Sequence, residues 1–185
     1  MHDADRTAGT VSEFLDRLAA RTPTPAGGSV AALCSAQAAA LVAMVARYCD
    51  APALVERAER LVVQAQQLVA DDERAFGAVA RAWAAPREGW SSEEQRRSAI
   101  GAALLEASEP QAQVVETAIE VLVLIDLLRP VGRPGLLSDL VAAGEVARAG
   151  CAIARMNVES NVRDLPESEG RSRLLRRMGV TKERA

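Results

Sequence analysis

The sequence predicts an all-α fold, a single-domain bundle of about six helices with a short C-terminal tail helix. Nearly half of its 185 residues are apolar, yet only 3% are aromatic, and alanine dominates the apolar set. Alanine has the highest helix propensity and lets helix axes approach closely. Apolar residues recur at intervals of three and four, the period of a helix with one buried face. Proline and glycine gather in short clusters that divide the chain into helix-length pieces. The length suffices for one domain with its own core.

Ser12 to Ala20 reads as a first short helix, with Ser12 as N-cap and Phe14, Leu15 and Leu18 on one side. TPTPAGGS, residues 22–29, breaks it, because Pro23 and Pro25 cannot continue a helix. A second helix runs from about Val30 to Tyr48. Pro52 suits the first turn of a third, which continues to about Trp83. APREGWS, residues 85–91, is a loop, and Ser91 or Ser92 caps a fourth helix. Pro110 is placed as the start of a fifth helix that ends before Pro130. VGRPGLL, residues 131–137, forms a second Gly/Pro loop, and a sixth helix spans about Ser138 to Asp164. The helical domain is thus expected over residues 12–165. Residues 166–185 form a polar tail with one short helix and a frayed end.

Charge and composition exclude several classes. A formal charge of −3 gives no reason to expect nucleic acid, whose binders show a basic surplus. The first ten residues lack the apolar core of a signal peptide, and no apolar run in the sequence reaches the ~20 residues of a membrane span. A cytoplasmic protein is expected. Cys34, Cys49 and Cys151 have no metal-like spacing and fall in apolar helical patterns, as buried thiols do. His2 is the only histidine and lies in a terminal tail, which argues against a histidine triad or a histidine-rich metal site. Lys182 is the only lysine and sits almost at the C-terminus. Acid–base work therefore falls to carboxylates, with Asp72 and Asp139 as candidates.

Three features call for a functional reading. The third helix carries an apolar stripe at Leu54, Ala58, Leu61, Ala65, Leu68, Phe76, Val79 and Trp83, and Asp72 falls in the same register. A carboxylate there must find a partner, shift its pKa or face a polar cavity; an arginine from another helix is the plain structural alternative. The sixth helix shows a seam of Asp139, Ala143, Ala147, Gly150, Ala154, Asn157 and Asn161. Its two amides, one turn apart, suit either the edge of a heterocycle or a buried network that fixes helix register. Ser138 and Asp139 also suit simple helix capping. AGGS, residues 26–29, permits close backbone approach directly before a helix, and Ser29 is placed either to cap that helix or to meet a ligand. VLVLIDLL, residues 121–128, is apolar nearly all round and should be buried in the bundle or in a dimer interface, with Asp126 either pairing Arg129, the favoured reading, or serving as a buried site group.

These segments occur in one order in a known family. FLDRLAARTPTPAGGSVAAL, residues 14–33, resembles the opening of the cyclodeaminase domain of formiminotransferase-cyclodeaminase and of its stand-alone bacterial relatives, the methenyltetrahydrofolate cyclohydrolases among them. DERAFGAV, residues 72–79, resembles that family's acidic helix motif, with Asp72 at the catalytic carboxylate. GRPGLLSD, residues 132–139, keeps the spacing of its Gly-Asn…Ser-Asp motif, and MNVESNV, residues 156–162, is similar to its Asn-Val-x-Ile-Asn segment. The resemblance spans residues 12–165. It implies a helical homodimer that acts on a tetrahydrofolate derivative with no metal or prosthetic group. Cyclodeaminases of the family close 5-formiminotetrahydrofolate to the 5,10-methenyl form with loss of ammonia. Cyclohydrolases add water to the methenyl carbon. On this basis Asp72 is expected as the acid–base residue and Asp139 as its helper, while Gly27, Gly28, Ser29, Ser138, Asn157 and Asn161 bind substrate. Three positions depart from the pattern: Ala26 replaces the first of three glycines, Arg133 replaces an asparagine, and Arg87 stands nearest a customary lysine. A binding protein for folate or another anion, and a non-catalytic dimeric scaffold, remain alternatives.

Overall fold

The computed structural model describes residues 9–179. His2 and Lys182, and with them the end of the expected frayed tail, lie outside the described residues. Six α-helices follow in order: α1 Val11–Ala19, α2 Gly27–Tyr48, α3 Pro52–Ala84, α4 Glu93–Leu128, α5 Leu137–Val162 and α6 Glu169–Arg177. Two short 3-10 turns, Arg87–Gly89 and Pro134–Leu136, occupy the loops before α4 and α5. The described residues contain no strand.

Local chemistry sets the boundaries. Thr10, not Ser12, caps α1: its hydroxyl accepts from the Glu13 N–H at 3.2 Å, and the Glu13 carboxylate accepts the Thr10 N–H at 2.6 Å. Pro52 occupies the first turn of α3, and Ser92 caps α4 by accepting from the Gln95 N–H at 3.0 Å. Ser138 is no cap, since α5 begins one residue earlier, directly out of the preceding 3-10 turn.

Pro110 does not begin a helix. It lies inside α4, which runs unbroken from Glu93 to Leu128 and so replaces the expected fourth and fifth helices. Proline has no N–H to give the carbonyl four residues back, here that of Glu106. The apolar residues on either side of it, Ala107 and Ala112, Val114 and Val115, are buried, so packing along the whole length holds the helix together.

α2 is the central helix, packed by α3, α4 and α5. By length and composition alone it could cross a membrane, but 61% of its most apolar stretch is buried inside the bundle. Its alanines make that packing possible: Ala31, Ala32, Ala38, Ala39 and Ala46 are fully buried. Gly150 of α5 sits so close to α2 that a Cβ there would stand 2.8 Å from the Ala31 carbonyl oxygen. Two core clusters result. One joins the C-terminal half of α2 to Leu61, Val121, Leu124, Leu128, Leu140 and Ala147. The other gathers Ala31 and Ala32 with Leu68, Val115, Ala154 and Val158, and Leu174 and Met178 close it. The polar tail helix α6 is therefore docked. Arg173 and Arg177 bridge to Glu109, each at 2.6 Å.

Candidate active site

The second core ends in a polar cluster where α2 begins. α2 starts three residues earlier than its sequence indicated, so Gly27, Gly28 and Ser29 form its first turn rather than a loop before it. Ala26 precedes them in extended backbone (φ −144°), which alanine adopts without strain, and its side chain supplies no cap. The carboxylate of Asp72, one turn beyond Leu68 on α3, fills that role. Ser29 Oγ donates to its Oδ2 at 2.8 Å, and the Ser29 backbone N–H donates to it as well. An acid from another helix thus satisfies an orphan donor and faces the positive end of the α2 dipole.

On its other side, Asp72 Oδ1 accepts from Gln111 Nε2 at 2.6 Å. Gln111 Oε1 accepts in turn from Asn157 Nδ2 at 3.3 Å, and Asn161 Nδ2 reaches Ser108 Oγ at 3.4 Å. Ser29, Asp72 and Gln111 are buried, with Asp72 only 6% exposed, while Asn157 and Asn161 are half-buried. Gly28 completes the fit. A Cβ on it would lie 2.1 Å from Asp72 Oδ1 and 2.4 Å from Gln111 Nε2, closer than any side chain allows. Gly27 lies beside Asn157 with ordinary clearance, 3.8 Å.

The expected alternative for Asp72, an arginine partner, does not occur among the described residues, where its bonds come from neutral donors. Its neighbours take the arginines. Asp71 pairs with Arg74 at 2.8 Å on the surface, and buried Glu73 pairs with Arg17 of α1 at 2.9 Å. Burial pushes the Asp72 carboxyl up to about 6; the bonds from Ser29 and Gln111 pull the other way, and the charge of Glu73 adds a smaller upward push. A carboxyl poised there can accept a proton at neutral pH and return it within one reaction.

The structure thus brings together Gly27, Gly28, Ser29, Asp72 and Asn157, with Asn161 one turn further along α5. Ser138 and Asp139 are not among them. Asp139 is partly exposed at the start of α5, eighteen residues and therefore about 27 Å along the axis from Asn157. Arg133 lies at that same far end and pairs with Asp50 at 3.8 Å. Gln111 and Glu73 were missed. Both are polar residues in mostly polar sequence, and only the interior position of Pro110 in α4 would have put Gln111 on the buried face. Among the described residues, no three His, Cys, Asp or Glu side chains gather as a metal would need.

Fold and site together define a class: a helical bundle in which a buried carboxyl without a cation meets a string of amides, with no histidine among the described residues. The formiminotransferase-cyclodeaminase family model matches residues 10–179, and the chain belongs to that enzyme family. It is 32% identical over 169 residues to the methenyltetrahydrofolate cyclohydrolase of Methylorubrum extorquens, covering 85% of this chain and 81% of that one. The crystal structure of a formiminotetrahydrofolate cyclodeaminase from Thermotoga maritima superposes with a TM-score of 0.82 at 26% identity, over 93% of this chain and 87% of that one.

Proposed function

We propose that this protein hydrolyses 5,10-methenyltetrahydrofolate to 10-formyltetrahydrofolate, with Asp72 as the acid–base residue. The observation that carries the proposal is the buried Asp72 carboxyl at the start of α2, paired with no cation among the described residues and poised at about 6. Similarity to the Methylorubrum cyclohydrolase over most of both chains supports the choice of substrate. The ligand lies against the first turn of α2, where exposed Gly27 offers backbone without a side chain and Gly28 leaves room for the Asp72 carboxylate, while Asn157 and Asn161 hold its polar edges.

The chemistry requires one group that both takes and gives a proton. Asp72 accepts a proton from water as its oxygen bonds to the methenyl carbon between N5 and N10. The tetrahedral adduct then loses its hydroxyl proton to solvent as the C–N5 bond breaks, and N5 receives the proton that Asp72 held. One proton is released overall, as conversion of the cationic amidinium to a neutral formamide demands. A buried site strengthens the electrostatic part of this cycle.

The fold's likeness to a cyclodeaminase supports a second reaction, closure of 5-formiminotetrahydrofolate with loss of ammonia. The same carboxyl would then protonate the leaving nitrogen. Purified protein mixed with each substrate separates the two. Loss of the methenyl absorbance faster than the uncatalysed rate establishes the hydrolase, and its appearance from the formimino compound establishes the deaminase. Acceleration of neither would overturn the proposal.

The working unit is proposed as a homodimer. Ile119, Val123 and Leu127 recur every fourth residue along one outward face of α4, each 42–49% exposed. A second copy covering them would bury what the bundle leaves in water.

A further inference from the structure

We propose that Gln111 is a positioning residue that transmits the charge state of Asp72 to Asn157, and so sets whether Asn157 presents an acceptor or a donor to the ligand. This deepens the reading of Asp72 as the acid–base group and rests on it for the identity of the ligand.

The inference follows from the valence of each group in the chain of hydrogen bonds. An ionised carboxylate only accepts, so Gln111 must turn its Nε2 toward Asp72, where the bond is 2.6 Å. Its single carbonyl, Oε1, is thereby aimed at Asn157, which must donate with Nδ2, at 3.3 Å. The Asn157 side chain makes no other hydrogen bond among the described residues, and its half-buried Oδ1 is left as an acceptor beside Gly27. Gln111 is 1% exposed and cannot exchange either partner for water. An ionised Asp72 therefore leaves the ligand an acceptor on Asn157, suited to an N–H edge of the substrate.

Protonation reverses the polarity. A neutral carboxyl has a proton to donate. On the Ser29 side Oδ2 already accepts from the hydroxyl at 2.8 Å, and with that bond kept the proton sits on Oδ1, which faces Gln111. On the Gln111 side a half-turn of the amide presents Oε1 to the acid. Nε2 then faces Asn157, whose own amide must turn and show Nδ2 to the ligand. Once Asp72 has taken a proton, the site thus exchanges its acceptor at Asn157 for a donor. Among the described residues, the charge that acts on Asp72 is that of Glu73, its neighbour on α3, which pairs with Arg17 of α1. α2 and α4 face it with Ser29 and Gln111 alone.

The test needs no substrate. In the full-length protein, the side-chain amide resonances of Asn157 are followed by NMR from pH 4.5 to 8, alongside the Asp72 carboxyl carbon. The two should titrate together, with one midpoint near 6. Asp72→Asn should abolish the Asn157 transition. Gln111→Met, close in volume but without polar hydrogen-bonding groups, should abolish it while Asp72 still titrates at a higher pH. An Asn157 signal that stays flat in the wild-type protein while Asp72 titrates would overturn the inference. That measurement holds even if Gln111→Met fails to fold. Because folate is absent, failure here is distinct from failure of the proposed reaction, which the absorbance assay reads.

Discussion

At the scale of single residues, the cluster around Asp72 makes opposite demands on two adjacent glycines. Gly28→Ala places a methyl 2.1 Å from Asp72 Oδ1, so either the carboxylate or the first turn of α2 must move. We expect a loss of about 1–3 kcal/mol in chemical denaturation and a large fall in turnover. Gly27→Ala meets nothing closer than 3.8 Å and should leave stability within about 0.5 kcal/mol. The charge of Asp72 has its own signature. Its folded pKa, about 6, lies above the ordinary value of 3.8, so between those values the folded state holds more protons than the unfolded. Stability must then fall as pH rises from about 4 to 6, by about 3 kcal/mol for this one group. Asp72→Asn should flatten that part of the curve of unfolding free energy against pH; an unchanged slope would mean that the carboxyl is not perturbed. Asp72 was legible in the sequence because it interrupts an apolar stripe in register. Gln111 was not, because a proline before it concealed which face it occupies.

At the scale of elements, the α2–α5 contact and the interior of α4 decide how the site is held. Gly150 lets α5 approach α2 until a Cβ would touch the Ala31 carbonyl at 2.8 Å. Backbone cannot swing aside as a side chain can, so Gly150→Ala should cost about 1–3 kcal/mol and move Asn157 relative to Gly27. Denaturation and KM would report the two effects separately. Pro110 offers the reverse case. Pro110→Ala restores the donor missing from the α4 ladder and should raise stability by about 2–3 kcal/mol, read as a higher denaturation midpoint. The existence of α1, α2, α3, α5 and α6 was legible from apolar period and from Pro and Gly punctuation, within a few residues at each end. The union of two expected helices into α4 was not, because a local rule about proline says nothing of the packing on both flanks that overrides it. The start of α2 was misplaced for a related reason: its cap comes from Asp72, forty-six residues beyond the Ala26 N-cap position, and no local signal shows it.

At the scale of the whole molecule, the bundle leaves an apolar stripe on α4 and keeps the buried Asp72 carboxyl in the polar cluster where α2 begins. Val123→Glu, placed in the middle of that stripe, should convert a dimer to monomers in sedimentation without unfolding the bundle. A monomeric wild-type protein would remove the dimer from the proposal. The far-end position of Asp139 was not legible, since a spacing along sequence does not reveal that eighteen helical residues carry it away from Asn157. The most direct single measurement is the pH dependence of kcat/KM for 5,10-methenyltetrahydrofolate, corrected for spontaneous hydrolysis, in wild type and in Asp72→Asn. Wild type should lose activity as pH falls through about 6, and Asp72→Asn should lose at least ~100-fold at neutral pH together with that limb of the profile. Full turnover by a correctly folded Asp72→Asn, with the same pH profile, would contradict a catalytic role for the buried carboxyl.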